Sequence, residues 1–207
     1  AAVSEGDRTT VESRVLDAEA TELRNASEAY DPAIEDRYTQ LPESTPDRVG
    51  ERTAAIIDEA EADNPYDQAA AIERYLQTEY DYSLTVERPD GDVADAFLFE
   101  MDAGYCTYFA TTMVAMLRSQ GVPAQFVTGY TTGEEVSEDR YVVRGQNAHA
   151  WVAVYFPEHG WVEFDPTPSD ERDQTRDTRL ADARAGGAEN VDTEESETDA
   201  APAFDEP

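Results

Sequence analysis

The sequence predicts an α+β domain in which N-terminal helices pack on an antiparallel β-sheet. Helix punctuation and 3.6-residue apolar periodicity dominate up to Gly121, and strand-like alternation takes over after it. The strand-like runs follow one another with turn residues between them, the order that builds an antiparallel sheet beside a helical layer.

Residues 1–42 are polar and weakly periodic, with 10–29 able to form a helix carrying Val11, Val15, Leu16 and Leu23 on one side. Thr45-Pro46-Asp47 reads as an N-cap followed by Pro at the first helical position, opening a helix to about residue 62. Asn64-Pro65 repeats that pattern and starts a second helix, with Ala69, Ile72, Tyr75 and Leu76 at helical spacing. Residues 80–86 read as a strand and Pro89-Asp90-Gly91 as a turn. A third helix is expected from Cys106 through Phe109, Met113, Met116 and Leu117 to Gln120, with Gly121 as C-cap and Pro123 beyond. Strand-like runs follow at 124–130, 140–143 and 148–156, and the turn Pro157-Glu158-His159-Gly160 leads into a fourth at 161–165. Beyond Ser169 large apolar residues almost vanish, so little burial offsets the entropy of ordering. The expected organisation is an extension at 1–42, a catalytic domain at 43–169 and a disordered acidic tail at 170–207.

The 47 acidic residues outnumber 15 basic ones, every one of them Arg, for a formal charge of −32. Such a surface repels itself at low salt and resembles the acidic, Lys-poor surfaces of extreme halophiles. Nucleic acid is excluded as a partner because no basic patch is available to neutralise phosphates. No apolar run approaches the roughly 20 residues needed to cross a bilayer, and Ala1-Ala2-Val3-Ser4-Glu5 does not open a cleavable leader. One cysteine forms no intramolecular disulfide, and one Cys with two His lacks metal-ligand spacing, so no cofactor or metal is expected. Asp90-Gly91-Asp92 is too short for an EF-hand loop, and Asn25-Ala26-Ser27 is only a glycosylation sequon.

Cys106 falls at the first turn of the third expected helix, where free N–H groups and the helix dipole favour thiolate. Gly104 before it leaves room for a substrate backbone. A lone Cys without context is more often core packing; here the context is His149 and Asp165. His149 lies on an alternating strand, and Asp165 ends the next one. In an even hairpin register residues 149, 151 and 153 share a face with 161, 163 and 165, which places His149 and Asp165 within side-chain reach. An odd register would separate them. The carboxylate then holds the imidazole in the tautomer that accepts the thiol proton. Tyr105 and Tyr108 border the thiol, and Trp151 and Trp161 flank the other two groups; all four are candidates to line a substrate groove, with core packing the alternative. His159 reads as a solvated turn residue.

These pieces resemble the transglutaminase-like superfamily, which is papain-like in its Cys-His-Asp chemistry. The resemblance runs over 41–168: Phe97-Leu98-Phe99-Glu100, Gly104-Tyr105-Cys106 with Tyr108-Phe109-Ala110, Arg118-Ser119-Gln120-Gly121-Val122-Pro123-Ala124, Val127-Thr128-Gly129-Tyr130, Ala148-His149-Ala150-Trp151-Val152 and Gly160-Trp161-Val162-Glu163-Phe164-Asp165-Pro166-Thr167. It implies that Cys106 is nucleophile, His149 base and Asp165 its orienter. In detail it is similar to the membrane-anchored bacterial and archaeal branch. That implies a domain on the outer face of the cell membrane, tethered through the acidic tail, and the acidic, Lys-free composition adds the expectation of a haloarchaeal source. The expected reaction is acyl transfer from a protein or peptide amide through a thioester. A cysteine peptidase or amidase with the same triad is the rival, and a catalytically silent binding module the reading of a different class. With no Lys in the chain, the protein is not its own Lys acyl acceptor.

Overall fold

Asn64 caps its helix by accepting the Asp67 N–H at 3.0 Å, with Pro65 in the first turn, and the same grammar recurs at Asp31-Pro32 and at Asp92. Such caps open α2 (Pro32–Tyr38), α4 (Pro65–Glu79) and α5 (Val93–Glu100), whereas α1 (Ala20–Arg24) starts on a capping box. Helix α6 (Cys106–Ser119) starts after Tyr105 without a side-chain cap. Helix α3 (Asp47–Glu59) starts after Pro46 rather than on the expected Thr45 cap, whose hydroxyl donates to Asp92 instead. The strands are β1 (Asp81–Tyr82), β2 (Ala103–Gly104), β3 (Ala124–Tyr130), β4 (Glu134–Ser137), β5 (Arg140–Val142), β6 (Ala148–Phe156) and β7 (Gly160–Phe164), and α7 (Ser169–Ala185) follows. The computed structural model describes residues 10, 18–138, 140–188 and 191.

The fold is α+β, with α6 at its centre. Phe109, Met113, Met116 and Leu117 are fully buried on it, and Tyr108, Ala110, Thr112 and Val114 are buried too. A helix apolar around most of its circumference belongs inside a core. Helices α3, α4 and α5 pack on one side of it and strands β3 and β6 on the other. The main sheet is antiparallel in the order β3-β6-β7. Its central strand sends Val152, Val154 and Phe156 into the core against α6. Truncating a residue such as Phe109 to Ala would cost about 3–5 kcal/mol, since both layers close on it.

Several elements depart from expectation. Of residues 80–86 only β1 forms, because its partner β2 is two residues long before the chain turns into α6. The run at 140–143 leaves the main sheet and pairs β5 with the unexpected β4 in a separate hairpin. Helices α2 and α5 were likewise not expected. Residues 11–17 of the first expected helix lie outside the described residues. Leu23 of α1 is buried in the core, and Arg24 pairs with Asp67 of α4 at 2.8 Å, so this part of the extension packs on the domain.

The largest correction concerns the tail. Residues 169–185, expected to be disordered from 170, form α7. Asp170 and Glu171 in its first turn and Arg184 in its last complement the helix dipole. No residue of α7 is buried, so polar contacts dock it: Arg172 to Asp165, and Glu171 Oε2 accepting the Tyr82 N–H at 2.6 Å. The rest of the expected tail, 192–207, falls outside the described residues. Among the described residues no helix is long and apolar enough to cross a membrane.

Candidate functional site

The thiol stands where two layers meet. Tyr105 is the N-cap of α6 and Cys106 its first residue, half-buried, so the first-turn N–H groups point out of the helix end. His149 sits near the start of β6, 7% exposed. The β6–β7 hairpin pairs Ala153 with Glu163 and Tyr155 with Trp161, the even register, which carries His149 and Asp165 to one face. His149 Nε2 lies 2.8 Å from Asp165 Oδ2. The other ring nitrogen, Nδ1, is buried and has no hydrogen-bond partner among the described residues, sulfur included, so it is the nitrogen available to a thiol proton.

The electrostatics of the three groups agree. Burial pushes the Cys106 thiol up, but the neighbouring His149 imidazole and the nearby backbone N–H groups of Ala150 and Thr107 outweigh it and hold the thiol below its ordinary value. Burial lowers the His149 imidazole, while its hydrogen bond to Asp165 and the neighbouring Cys106 thiol push it up to about 9. Burial likewise raises Asp165, and its contacts with His149, the Thr167 N–H and Arg172 bring it below the usual carboxylate range. A lowered thiol beside a raised imidazole favours a thiolate–imidazolium pair, the reactive form of a cysteine nucleophile.

A second layer fastens Asp165. Its Oδ1 accepts from the Thr167 N–H at 3.1 Å. Its backbone N–H donates to Glu73 Oε1 at 2.8 Å, and its carbonyl accepts from Gln77 Nε2 at 2.7 Å, both from α4. Glu73 is pushed up to about 7, mainly by burial. From α7, Arg172 Nη1 donates to Asp165 Oδ2 at 2.8 Å and lies 3.2 Å from His149 Nε2. Two cationic donors thus converge on one carboxylate oxygen. Neither Arg172 nor Glu73 was expected from the sequence. The spacing of Arg172, Arg176 and Arg179, four then three residues, was the available hint that one helical face was being loaded.

A cavity of about 570 Å³ opens at Cys106 and His149, and Tyr105 lines it. The other aromatic candidates do not reach it. Tyr108 is 5% exposed and packs between Phe97 and Tyr105, because it points back into the α5–α6 interface. Trp151 lies beside the His149 ring, 6.1 Å between centroids, and against Gly129, where a Cβ would come within 2.7 Å of the indole. Trp161 packs on Tyr38 and Tyr155 towards the other end of the hairpin. Gly104 also serves packing rather than substrate approach: a Cβ there would meet the Phe97 ring at 2.8 Å and Tyr108 Cβ at 3.1 Å.

A thiol at a helix start, an imidazole on a central strand and a carboxylate just past the neighbouring strand make up the geometry of a papain-like thiol site. The chain belongs to the transglutaminase-like superfamily, whose family model matches residues 53–166. It is 46% identical over 154 residues to the uncharacterized protein YebA of Bacillus subtilis, covering 70% of this chain and 20% of that protein. It is 35% identical over 150 residues to a protein-glutamine gamma-glutamyltransferase of Pseudomonas aeruginosa, covering 70% of this chain and 21% of that protein. Among solved structures it is similar to the periplasmic domain of TgpA from Pseudomonas aeruginosa, with a TM-score of 0.60 and 30% identity over 70% of this chain and 53% of that chain. The chain therefore spans about a fifth of the length of these two curated relatives.

Proposed function

We propose that this domain is a thiol acyltransferase acting on glutamine side-chain amides of proteins or peptides, with Cys106 as nucleophile, His149 as acid and base, and Asp165 as orienter. The observation that carries the reading is His149, held by Asp165 at 2.8 Å, lining one cavity with Cys106, whose thiol is lowered. The 35% identity to a protein-glutamine gamma-glutamyltransferase supports glutamine as acyl donor. In the first step the Cys106 thiolate adds to the amide carbon, and the Cys106 backbone N–H donates to the developing oxyanion. The C–N bond then breaks as His149 passes its proton to departing ammonia, leaving a thioester. An amine attacks the thioester while His149 takes its proton, and the C–S bond breaks to return the thiolate. Water in place of the amine makes the domain an amidase or peptidase.

The likeness to a periplasmic domain supports a position outside the cytoplasmic membrane, as the extracytoplasmic part of a longer, membrane-anchored protein. The charge of −32 and the absence of Lys support a haloarchaeal source and a high-salt working medium. The test combines intact-mass analysis with ammonia release after incubation with a Gln-containing peptide, with and without a primary amine. The expected result is a Cys106 thioester whose turnover rises with added amine. Ammonia release that ignores the amine would point to hydrolysis. A folded protein that forms no acyl adduct with any Gln peptide would contradict the assignment and favour a binding module.

A further inference from the structure

The cavity at Cys106 has a charge opposite to that of the molecule around it. Among the described residues no acidic side chain lines it, whereas three arginines do. These are Arg172, Arg176 and Arg179, spaced four and three residues apart on one face of α7, with Thr175 between them on the same wall. Their charges are not equally committed. Arg172 is satisfied by Asp165 at 2.8 Å and Asp173 at 3.1 Å. Among the described residues Arg176 pairs with the half-exposed Asp173 alone, at 3.4 Å, on an oxygen it shares with Arg172. No carboxylate among the described residues pairs with Arg179. Against an otherwise acidic surface, this wall sets positive charge beside the reacting atom that the described carboxylates leave available to an anionic ligand.

We propose that this wall recognises a carboxylate on the peptide substrate, so that the preferred acyl donor is an acidic peptide with its anionic group near the reacting glutamine. The proposal rests on the acyl-transfer reading of the same site and adds its substrate class. The spacing sets the distance. Along the helix axis Arg176 and Arg179 lie about 6 and 10 Å beyond Arg172, which itself touches His149. An extended peptide covers that span in about two to three residues. The carboxylate accordingly belongs two or three positions from the glutamine, and guanidinium groups suit it as paired donors. An acidic side chain and a free C-terminus present the same group, and the test separates them.

The test uses the whole chain and Cys106 as its own probe, which needs no turnover. Three peptides compete with iodoacetamide for Cys106: acetyl-Glu-Ala-Gln-Ala-Glu-amide, acetyl-Ala-Ala-Gln-Ala-Ala with a free C-terminus, and its neutral amide. At equal ionic strength one or both anionic peptides should protect at about five- to ten-fold lower concentration than the neutral one. Protection by the first alone assigns the wall to acidic side chains, and by the second alone to a terminal carboxylate. In Arg176→Gln/Arg179→Gln the advantage should disappear, and the iodoacetate-to-iodoacetamide rate ratio should fall about five-fold. Equal protection by all three peptides, or an unchanged rate ratio in the double variant, would overturn the proposal. Ammonia release measured alongside keeps the two readings apart. Release that is equal from anionic and neutral peptides sinks the cationic wall and leaves acyl transfer standing. Selective protection without any release does the reverse.

Discussion

Replacing Arg172 with Met should slow turnover while leaving the fold intact, because the side chain acts on the site through Asp165. Met keeps most of the apolar stem of a side chain that is 11% exposed and removes the guanidinium. The lost contact is a charge-assisted hydrogen bond of 2.8 Å to Asp165 Oδ2, a class worth about 1.5–3 kcal/mol. The Asp165 side chain is 39% exposed, so solvent returns part of that. Asp165 also keeps His149 at 2.8 Å and the Thr167 N–H at 3.1 Å. A net effect of about 1–2 kcal/mol remains, or roughly 5- to 30-fold in kcat/KM. A purely structural Arg172 would not move the thiol, so the second readout is iodoacetamide alkylation of Cys106 against pH. A less firmly held Asp165 supports less imidazolium, and the thiol inflection should move up. Arg172→Lys keeps the charge without the planar fork and should fall between the two. A folded Arg172→Met protein with wild-type turnover and an unmoved inflection would refute the reasoning.

Three further outcomes follow from the same contacts. In the wild type, alkylation of Cys106 should inflect below the ordinary thiol value of about 8.5, and amide turnover should decline again as His149 loses its proton near 9; alkylation that tracks a free thiol contradicts the ion pair. Glu73, raised by burial to about 7, binds its proton more tightly folded than unfolded. Its stabilising contribution is complete below the unfolded carboxyl value of about 4.3 and is lost as pH rises towards about 7. Glu73→Gln should flatten denaturant midpoints between those pH values, and an unaltered slope would show that Glu73 is not the group responsible. Dialysis from molar salt to low ionic strength should lower the thermal midpoint followed by circular dichroism, as screening of a −32 chain is withdrawn; a constant midpoint removes the case for a high-salt habitat.

Local rules made the centre of this fold legible. Asn64-Pro65 fixed the start of α4, Cys106 the start of α6, and alternation delimited β3 and β6 without error, because cap, turn and periodicity agreed there. The meeting of His149 with Asp165 was legible only conditionally, since it needed a register that the turn and side-chain pattern do not decide alone. Helix α7 was not legible. It buries no side chain, so it has no apolar period to read, and its place depends on Arg172 and Glu171 finding Asp165 and Tyr82 across the fold. Three of the four aromatic candidates, all but Tyr105, failed for a related reason. Nearness to Cys106 in the chain does not say which way a helical side chain points, and Tyr108 points into the core. Residues 140–143 had the alternation of a strand but no means of naming their partner, which proved to be β4.

The central claim is that Cys106 and His149 act as one unit on a glutamine amide, and His149→Ala tests it most directly. The measurement is ammonia release from a Gln peptide by wild type, Cys106→Ala, His149→Ala and the double variant, each first shown to be folded by circular dichroism. Without His149 the thiolate loses its ion-pair partner and departing ammonia its proton donor, so turnover should drop by about 10²- to 10⁴-fold. Cys106→Ala should abolish it, as the chain holds no other thiol, and the double variant should be little worse than either single change. Folded His149→Ala protein that releases ammonia at the wild-type rate would contradict the account.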